Sequence, residues 1–378
     1  MRIQRKLLMA GALAVALALP AGVAAGARTI PVGGRGDFLA GLSAQQLAGQ
    51  RVVYSYAGLN PPASLISLIE HGEAAGVIFF GQNISSKAQI AAVIKRLEQA
   101  NASPLNPVRA PLLLMTDQEG GQVRRLPGQP DLSEKQIGAE PLSQAKAAAT
   151  AAGKGAAANL RGVGMNVNLA PVLDVYRTAG DFDDQYGRSY SMKPAVVSAL
   201  GANMIKAQQA GKVAATAKHF PGLGAATAAQ NTDAGPVMLN LTPAGIRGID
   251  EAPFKTAISA GVKLVMLSWA VYPAIQARPA GLSPKVVQGE LRSRLKFTGV
   301  TITDALEAGA LKNYGTMANR ALLAAQAGMD LILASSQNVT QGQQARGGLA
   351  VAYSNGTLGH QAFLASVNRV IALRKSLK

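Results

Sequence analysis

The sequence predicts a single α/β domain folded as a (β/α)8 barrel of the TIM type, and three observations support this prediction. After about position 50, eight short apolar runs alternate with helix-like stretches. The runs show little apolar–polar alternation, which is typical of strands buried on both faces of a parallel sheet. Eight strand-then-helix units favour a closed barrel, and an open doubly wound sheet is the alternative.

The predicted strands are short and apolar, and the predicted helices between them are longer and amphipathic. The strands are expected at residues 52–56, 77–80, 112–116, 166–169, 213–217, 264–267, 300–303 and 331–333. The helices are expected at residues 64–75, 87–100, 145–162, 195–210, 242–260, 284–295, 316–327 and 360–375. The Gln- and Gly-rich segment at 338–348 is expected to be a loop.

The N-terminus has the organisation of a secretory signal. Three basic residues precede an apolar run at 7–19, which is too short to span a bilayer. Small residues at 25–27 suit cleavage there, although a retained membrane anchor is the alternative. We therefore predict a signal peptide over 1–27 and a mature domain over 28–378. The mature protein would be secreted or periplasmic, within the cell envelope, with no membrane span after cleavage.

Composition excludes several classes of function. The formal net charge is +17, but Lys and Arg are scattered and aromatic residues make up only 4%, which disfavours nucleic-acid binding. A basic surface compatible with an anionic cell envelope is the better interpretation. The chain contains no Cys, which excludes disulfides and thiolate metal sites, and its three His lack metal-ligand spacing. We expect no metal, no cofactor and a monomer.

Charged residues recur where predicted strands end. Asp117, Asp174, Lys218 with His219, and Asp304 follow or close four different strands. A single acidic residue at such a position is as typical of a helix N-cap as of a functional site. Because the C-terminal ends of all barrel strands meet on one face, their recurrence predicts a polar pocket there.

Three segments carry a more specific signal. Residues 114–121 read LMTDQEGG, residues 218–222 read KHFPG and residues 299–306 read GVTITDAL. They resemble, in order, three blocks of glycoside hydrolase family 3, and the NLAPVLDV and GRSY segments between them add support. The single-barrel β-N-acetylhexosaminidase subgroup is the most similar. The resemblance implies a retaining, exo-acting β-glycosidase whose substrate is a carbohydrate, of which peptidoglycan-derived glycan is one candidate.

The resemblance also implies the nucleophile. Retaining glycosidases need a carboxylate about 5 Å from a proton donor across the scissile bond. Asp304 occupies the family's nucleophile position, and a carboxylate at a strand end can reach the sugar C1 atom. The alternative for Asp304 is an N-cap of the following helix.

Five further residues match family positions that bind the sugar. Asp117 matches a carboxylate that accepts hydroxyl hydrogen bonds, and Lys218 and His219 match donors to neighbouring hydroxyls. Arg125 and Arg188 match two arginines of the same site. The alternatives are a buried packing pair for Lys218 and His219, and surface charge for the two arginines.

The loop at 223–236 departs from the family pattern. The subgroup carries an Asp–His acid/base pair in this loop, whereas here the loop contains no His. Alignment on the proline that ends the loop puts the pair on Gln230 and Thr232, which cannot donate a proton usefully near neutral pH. Asp233 is the only titratable residue of the loop. The Ala-rich stretch at 225–229 has little side chain to anchor the loop and predicts a mobile lid.

Three functions therefore remain open. The first is an active retaining exo-glycosidase acting on terminal β-linked hexose or N-acetylhexosamine, with Asp233 or an outside residue as acid/base. The second is a non-catalytic barrel that binds glycan in the cell envelope. The third is a glycosidase confined to substrates with good leaving groups. Trp269, the only Trp, could stack on a sugar or pack in the core.

Overall fold

Eight parallel strands close into a barrel in the computed structural model, which describes residues 36–377. Each strand pairs with its neighbours in chain order, and Val52 of the first strand lies opposite Ile332 of the last. The strands are β1 (Val52–Tyr54), β2 (Gly76–Ile78), β3 (Leu113–Thr116), β4 (Val167–Asn168), β5 (Ala214–Phe220), β6 (Leu264–Leu267), β7 (Val300–Ala305) and β8 (Leu331–Leu333). The predicted barrel is confirmed, and the predicted signal peptide lies outside the described residues.

The barrel interior is filled by branched and unbranched aliphatic side chains. Met115, Leu169, Met266 and Ile302 belong to one buried cluster with residues from the other strands. Such filling makes the interior a packed core rather than a channel. The charged side chains of the cavity lie beyond this core, at the C-terminal end of the barrel.

The helices within residues 41–377 surround the barrel, and most follow a strand as predicted. The α-helices are Gly36–Ala40, Ala44–Gly49, Ala63–Glu70, Lys87–Asn101, Glu134–Ala139, Leu142–Arg161, Phe182–Gln185, Pro194–Ala210, Pro243–Gly245, Ala252–Ser259, Met317–Ala327, Val339–Ser354 and His360–Ser376. Two π-helices, Ile246–Asp250 and Lys285–Arg294, and three 3₁₀ turns, Gly81–Asn83, Ala280–Leu282 and Gly309–Leu311, complete them. No helix among residues 36–377 is long and apolar enough to cross a membrane.

One predicted loop is wrong. The segment at 338–348 begins the helix Val339–Ser354, which Asn338 caps by accepting a hydrogen bond from the Thr340 amide. A Cβ on Gly342 would lie 2.3 Å from the Tyr54 ring. The glycines that suggested a loop instead allow this helix to approach the barrel closely.

A predicted single helix at 242–260 is three consecutive pieces. The α-turn Pro243–Gly245 leads into the π-helix Ile246–Asp250, and Ala252–Ser259 follows with a proline in its first turn. Proline suits the first turn of a helix but not its interior, because it lacks an N–H to donate. The predicted helix is therefore interrupted just before Ala252–Ser259, whose first turn contains the proline.

Two antiparallel hairpins lie beyond the strand ends. Gln118–Gly120 pairs with Val123–Arg124 directly after β3. Val271–Tyr272 pairs with Gln276–Pro279 after β6. The first hairpin positions Glu119 and Arg125 beside the barrel mouth.

Candidate active site

A cavity of about 360 Å³ opens at the C-terminal end of the barrel. It is lined by residues that follow or end β2, β3, β4, β5, β7 and β8, in agreement with the face that barrel geometry favours. The structure brings all seven predicted site residues to this cavity: Asp117, Arg125, Arg188, Lys218, His219, Asp233 and Asp304.

The inner wall of the cavity is an ion-pair network centred on Lys218. The Lys218 Nζ lies 2.8 Å from Asp117 Oδ1 and 2.7 Å from Glu119 Oε1. Arg188 donates to both oxygens of Glu119, over 2.9 and 3.0 Å. Lys218 and Glu119 are almost fully buried, whereas Asp117 keeps 17% of its side chain exposed toward the cavity.

These pairs determine the charge of the wall. Burial alone would raise the pKa of Glu119, but the positive charges of Arg188 and Lys218 outweigh it and lower that pKa to about 2. Burial likewise opposes the charged form of Lys218, yet Asp117 and Glu119 raise the pKa of Lys218 above its ordinary value. The wall is therefore charged and fixed at neutral pH.

Glu119→Gln should be markedly destabilising because it removes the carboxylate that two desolvated cations share, and leaves Lys218 with Asp117 alone and Arg188 with Asp183 alone. We expect the free energy of unfolding at pH 7 to fall by about 3–5 kcal/mol in urea titrations. The folded-state pKa lies below the ordinary value, so the stabilisation is complete above pH 4.5 and is lost as the pH falls toward 2. The variant should therefore show a weaker pH dependence across that window.

Asp131→Asn provides the matched control for this prediction. Asp131 pairs with Arg124 on the same hairpin, but its side chain is 63% exposed. Exposed pairs contribute less than about 1 kcal/mol. Equal losses in the two variants would contradict the buried-network account.

His219 is held by a second buried network. Its Nδ1 lies 2.7 Å from Asp174 Oδ2, and Asp174 also accepts the backbone amides of His219 and Leu223. Burial opposes ionisation of both partners, but their mutual attraction raises the pKa of His219 and lowers that of Asp174. The ring orientation is thereby determined, with Nε2 as the nitrogen not used in this contact.

Asp183 completes this second network. Burial, followed by the negative charge of Asp174, raises the pKa of Asp183 to about 7, against the opposing effect of Arg188. The ligand atoms of Asp174, Asp183 and His219 lie within 4.8 Å of one another, close enough to share a cation. Because Asp174 already accepts several hydrogen bonds, the arrangement favours a hydrogen-bonded network that positions His219.

Asp304 lies at the end of β7 and lines the cavity. Its Oδ1 accepts the backbone amide of Ala305 over 2.7 Å. The Trp269 indole donates to the Ala305 carbonyl over 2.8 Å and is fully buried, so it packs in the core instead of stacking on a sugar. Trp269 thus stabilises the backbone that carries Asp304.

The loop at 223–236 is held by backbone groups, a kind of anchor that the sequence did not predict; its mobility as a lid stays a prediction. The carbonyls of Thr232 and Asp233 accept the amides of Ala310 and Gly309 over 2.9 and 2.8 Å. The Ala226 carbonyl accepts the Phe182 amide over 2.9 Å. These anchors are backbone groups, so the short side chains of the Ala-rich stretch do not show how the loop is attached.

The anchored loop presents Asp233 to the cavity. Its side chain is exposed at the mouth, where partial desolvation and then the negative charge of Asp304 raise its pKa. A Cβ on Gly309 would lie 2.4 Å from the Ala234 carbonyl oxygen, so the turn after β7 needs glycine here. The loop therefore docks directly against the segment that follows Asp304.

Several buried acidic residues were not assigned a role from sequence, and three of them interact with the networks described above. Glu119 lies inside the DQEGG segment, so the resemblance of that segment to a family block could have identified Glu119 as a site residue. Asp183 belongs to the short helix Phe182–Gln185, which reads as surface loop in the sequence. Glu134 accepts the Val172 amide over 2.9 Å, and burial raises its pKa well above the ordinary value. No local pattern distinguishes these last two from surface acids.

A closed parallel barrel with a charged cavity at the C-terminal ends of its strands is an architecture that barrel glycosidases share. The family model described as glycosyl hydrolase family 3 N terminal domain matches residues 43–373. The chain belongs to glycoside hydrolase family 3, and its relatives fall in the β-N-acetylhexosaminidase-like subgroup.

Individual relatives agree with this assignment. An uncharacterized secreted glycosyl hydrolase of Arthroderma benhamiae is 46% identical over 87% of this chain and 93% of its own length. A beta-hexosaminidase of Nitrosomonas eutropha is 34% identical over 70% of this chain and 74% of its own length.

Solved structures show the same fold. A family 3 beta-N-acetylglucosaminidase from Paenibacillus superposes with a TM-score of 0.81 at 32% identity, covering 89% of this chain and 63% of that one. A beta-N-acetylhexosaminidase from Beutenbergia cavernae gives 0.78 at 29% identity, covering 88% and 98%.

Proposed function

We propose that this protein is a retaining, exo-acting β-glycosidase that removes terminal β-linked N-acetylhexosamine or hexose residues. Asp304 would be the nucleophile and Asp233 the acid/base. The observation that carries the proposal is that these two carboxylates come from different loops and line one cavity, beside the charged wall of Asp117 and Lys218. Two carboxyl groups across one bond are what retaining hydrolysis requires.

The cavity wall supplies contacts for a terminal sugar. Asp117 and His219 face the cavity with polar atoms suited to hydroxyl groups. Arg125 also lines the cavity, and its guanidinium group carries N–H donors of the kind that bind sugar hydroxyls. Lys218 stays paired and holds Asp117 in place.

The chemistry then divides into two steps. Asp304 attacks C1 while Asp233 gives its proton to the glycosidic oxygen, which leaves with the bonding electron pair. In the second step Asp233 takes a proton from a water molecule that attacks C1 and releases Asp304. A carboxyl group whose pKa is raised by partial burial and a nearby carboxylate suits the first role.

The cellular setting is part of the same proposal. The basic and apolar leader supports export through a signal peptide over 1–27, and the A. benhamiae relative is named as secreted. We propose that the mature chain, 28–378, works as a monomer in the cell envelope or outside the cell. Cell-wall glycans, including peptidoglycan fragments, are the substrates that this setting supplies.

The purified mature protein should hydrolyse nitrophenyl β-glycosides, fastest with the N-acetylglucosaminide among a panel of sugars. The anomeric configuration of the first product, followed by NMR, should be β, because two displacements at C1 restore the original configuration. An α product would contradict the retaining mechanism. Binding of chitobiose in calorimetry without hydrolysis of any panel member would favour the non-catalytic alternative.

A further inference from the structure

An aromatic ring stands at the mouth of the cavity without a role in the chemistry above. Tyr186 lines the cavity and is 44% exposed, whereas the other two Phe and Tyr residues that line it, Phe80 and Phe182, are more buried. Exposing a large aromatic ring costs hydrophobic free energy that burial would recover. Single exposed apolar side chains are common on protein surfaces, but Tyr186 also lines the cavity, so its ring is accessible to a ligand bound there.

The position of the ring is well determined by its neighbours. Phe182 packs edge to face on Tyr186, with ring centroids 5.7 Å apart and planes at 78°. The backbone of Phe182 and the side chain of Gln185 donate to the carbonyls of Ala226 and Ala228, over 2.9 and 3.1 Å. Tyr186 is thus tied to the loop that carries the proposed acid/base.

Greater exposure distinguishes Tyr186 from the inner wall of the cavity. Two residues further on, Arg188 turns inward to Glu119 and keeps only 17% of its side chain exposed. A terminal sugar held by the inner wall would direct its leaving group toward the mouth, past Asp304 and Asp233. Tyr186 lies at that mouth and beside the acid/base loop.

We propose that Tyr186 forms a leaving-group subsite, where it stacks on the ring attached to the glycosidic oxygen. The ligand class is a hexopyranose, whose axial C–H groups form an apolar face, or an aryl aglycone. An aromatic face and an apolar sugar face associate through dispersion and burial, with no charge required. This inference rests on the proposed glycosidase function.

The test compares two substrates with the same terminal sugar in the wild type and in Tyr186→Ala. Chitobiose places a second ring at the subsite, whereas the corresponding β-glycosyl fluoride has only a fluoride leaving group. We expect kcat/KM for chitobiose to fall about tenfold in Tyr186→Ala, and that for the fluoride to change by less than about twofold. Tyr186→Phe should retain chitobiose activity because the ring remains.

Met192→Ala is the matched control, since Met192 is an apolar residue that is 49% exposed and does not line the cavity. Unchanged kcat/KM for chitobiose in Tyr186→Ala, or an equal loss on both substrates, would overturn the subsite. A wild type that hydrolyses neither substrate would refute the proposed function itself. A melting temperature unchanged from wild type shows that the comparison is made on folded protein.

Discussion

Replacing Asp304 by Ala should lower kcat/KM for nitrophenyl β-glycosides by about 10⁴-fold or more, because no group remains to attack C1. Activated aryl glycosides are the sharpest substrates for this test, since their leaving groups need little protonation. The variant should stay folded, because the Asp304 side chain makes only a local contact with the Ala305 amide within the described hydrogen-bond network.

The covalent intermediate offers an independent measurement of the same prediction. A 2-deoxy-2-fluoro glycoside with a good leaving group should label the wild type, and peptide mass spectrometry should locate the label on Asp304. Glu307→Gln is a useful control, because Glu307 follows in the same loop but accepts hydrogen bonds from Ser335 and Gln341. Turnover unchanged in Asp304→Ala, or a label on another carboxylate, would rule out the nucleophile assignment.

Asp233→Ala should slow hydrolysis of natural disaccharides by about 10²–10⁴-fold, the typical contribution of general acid assistance. Nitrophenyl glycosides should be affected far less in their first step, since nitrophenolate leaves without a proton. Azide should rescue the aryl substrate in this variant and yield a β-glycosyl azide, because it attacks the intermediate without base help. Steady-state rates at several azide concentrations measure this rescue.

The pH profile supplies a second signature. Because Asp233 must be protonated in the first step and its pKa is raised, the wild-type rate on disaccharides should fall as the pH rises through that pKa. That limb should disappear in Asp233→Ala. If both substrates keep their wild-type rates and pH profile, another residue is the acid.

The position of Asp233 can be tested without changing the carboxylate. Gly309→Ala would force the Asp233 loop away from the turn after β7, whereas a Cβ on Gly235, in the same loop, meets nothing within 4 Å. Gly309→Ala should therefore lose disaccharide activity more than aryl-glycoside activity, and Gly235→Ala should keep both. Equal behaviour of the two variants would show that docking of the loop does not position the acid.

The sequence by itself determined the barrel and most of its functional face. Apolar runs without apolar–polar alternation identified parallel strands, because a strand that is buried on both faces needs apolar side chains on both sides. Closed parallel barrels gather their strand ends on one side, so Asp117, Lys218, His219 and Asp304 could be predicted to converge from positions far apart in the chain. The family resemblance added Arg125 and Arg188, which line the same cavity.

Only the tertiary structure showed how the Asp233 loop is held and which acidic residues are buried, because both depend on contacts between segments that are distant in the chain. The loop with Asp233 lacks side chains that could anchor it, yet carbonyls of Thr232 and Asp233 pair with the turn at 309–311. Asp183 and Glu119 look like ordinary acids until the fold buries them against Arg188. Hydrogen bonds of the backbone and the desolvation of charges depend on which segments meet, and no local sequence pattern records that.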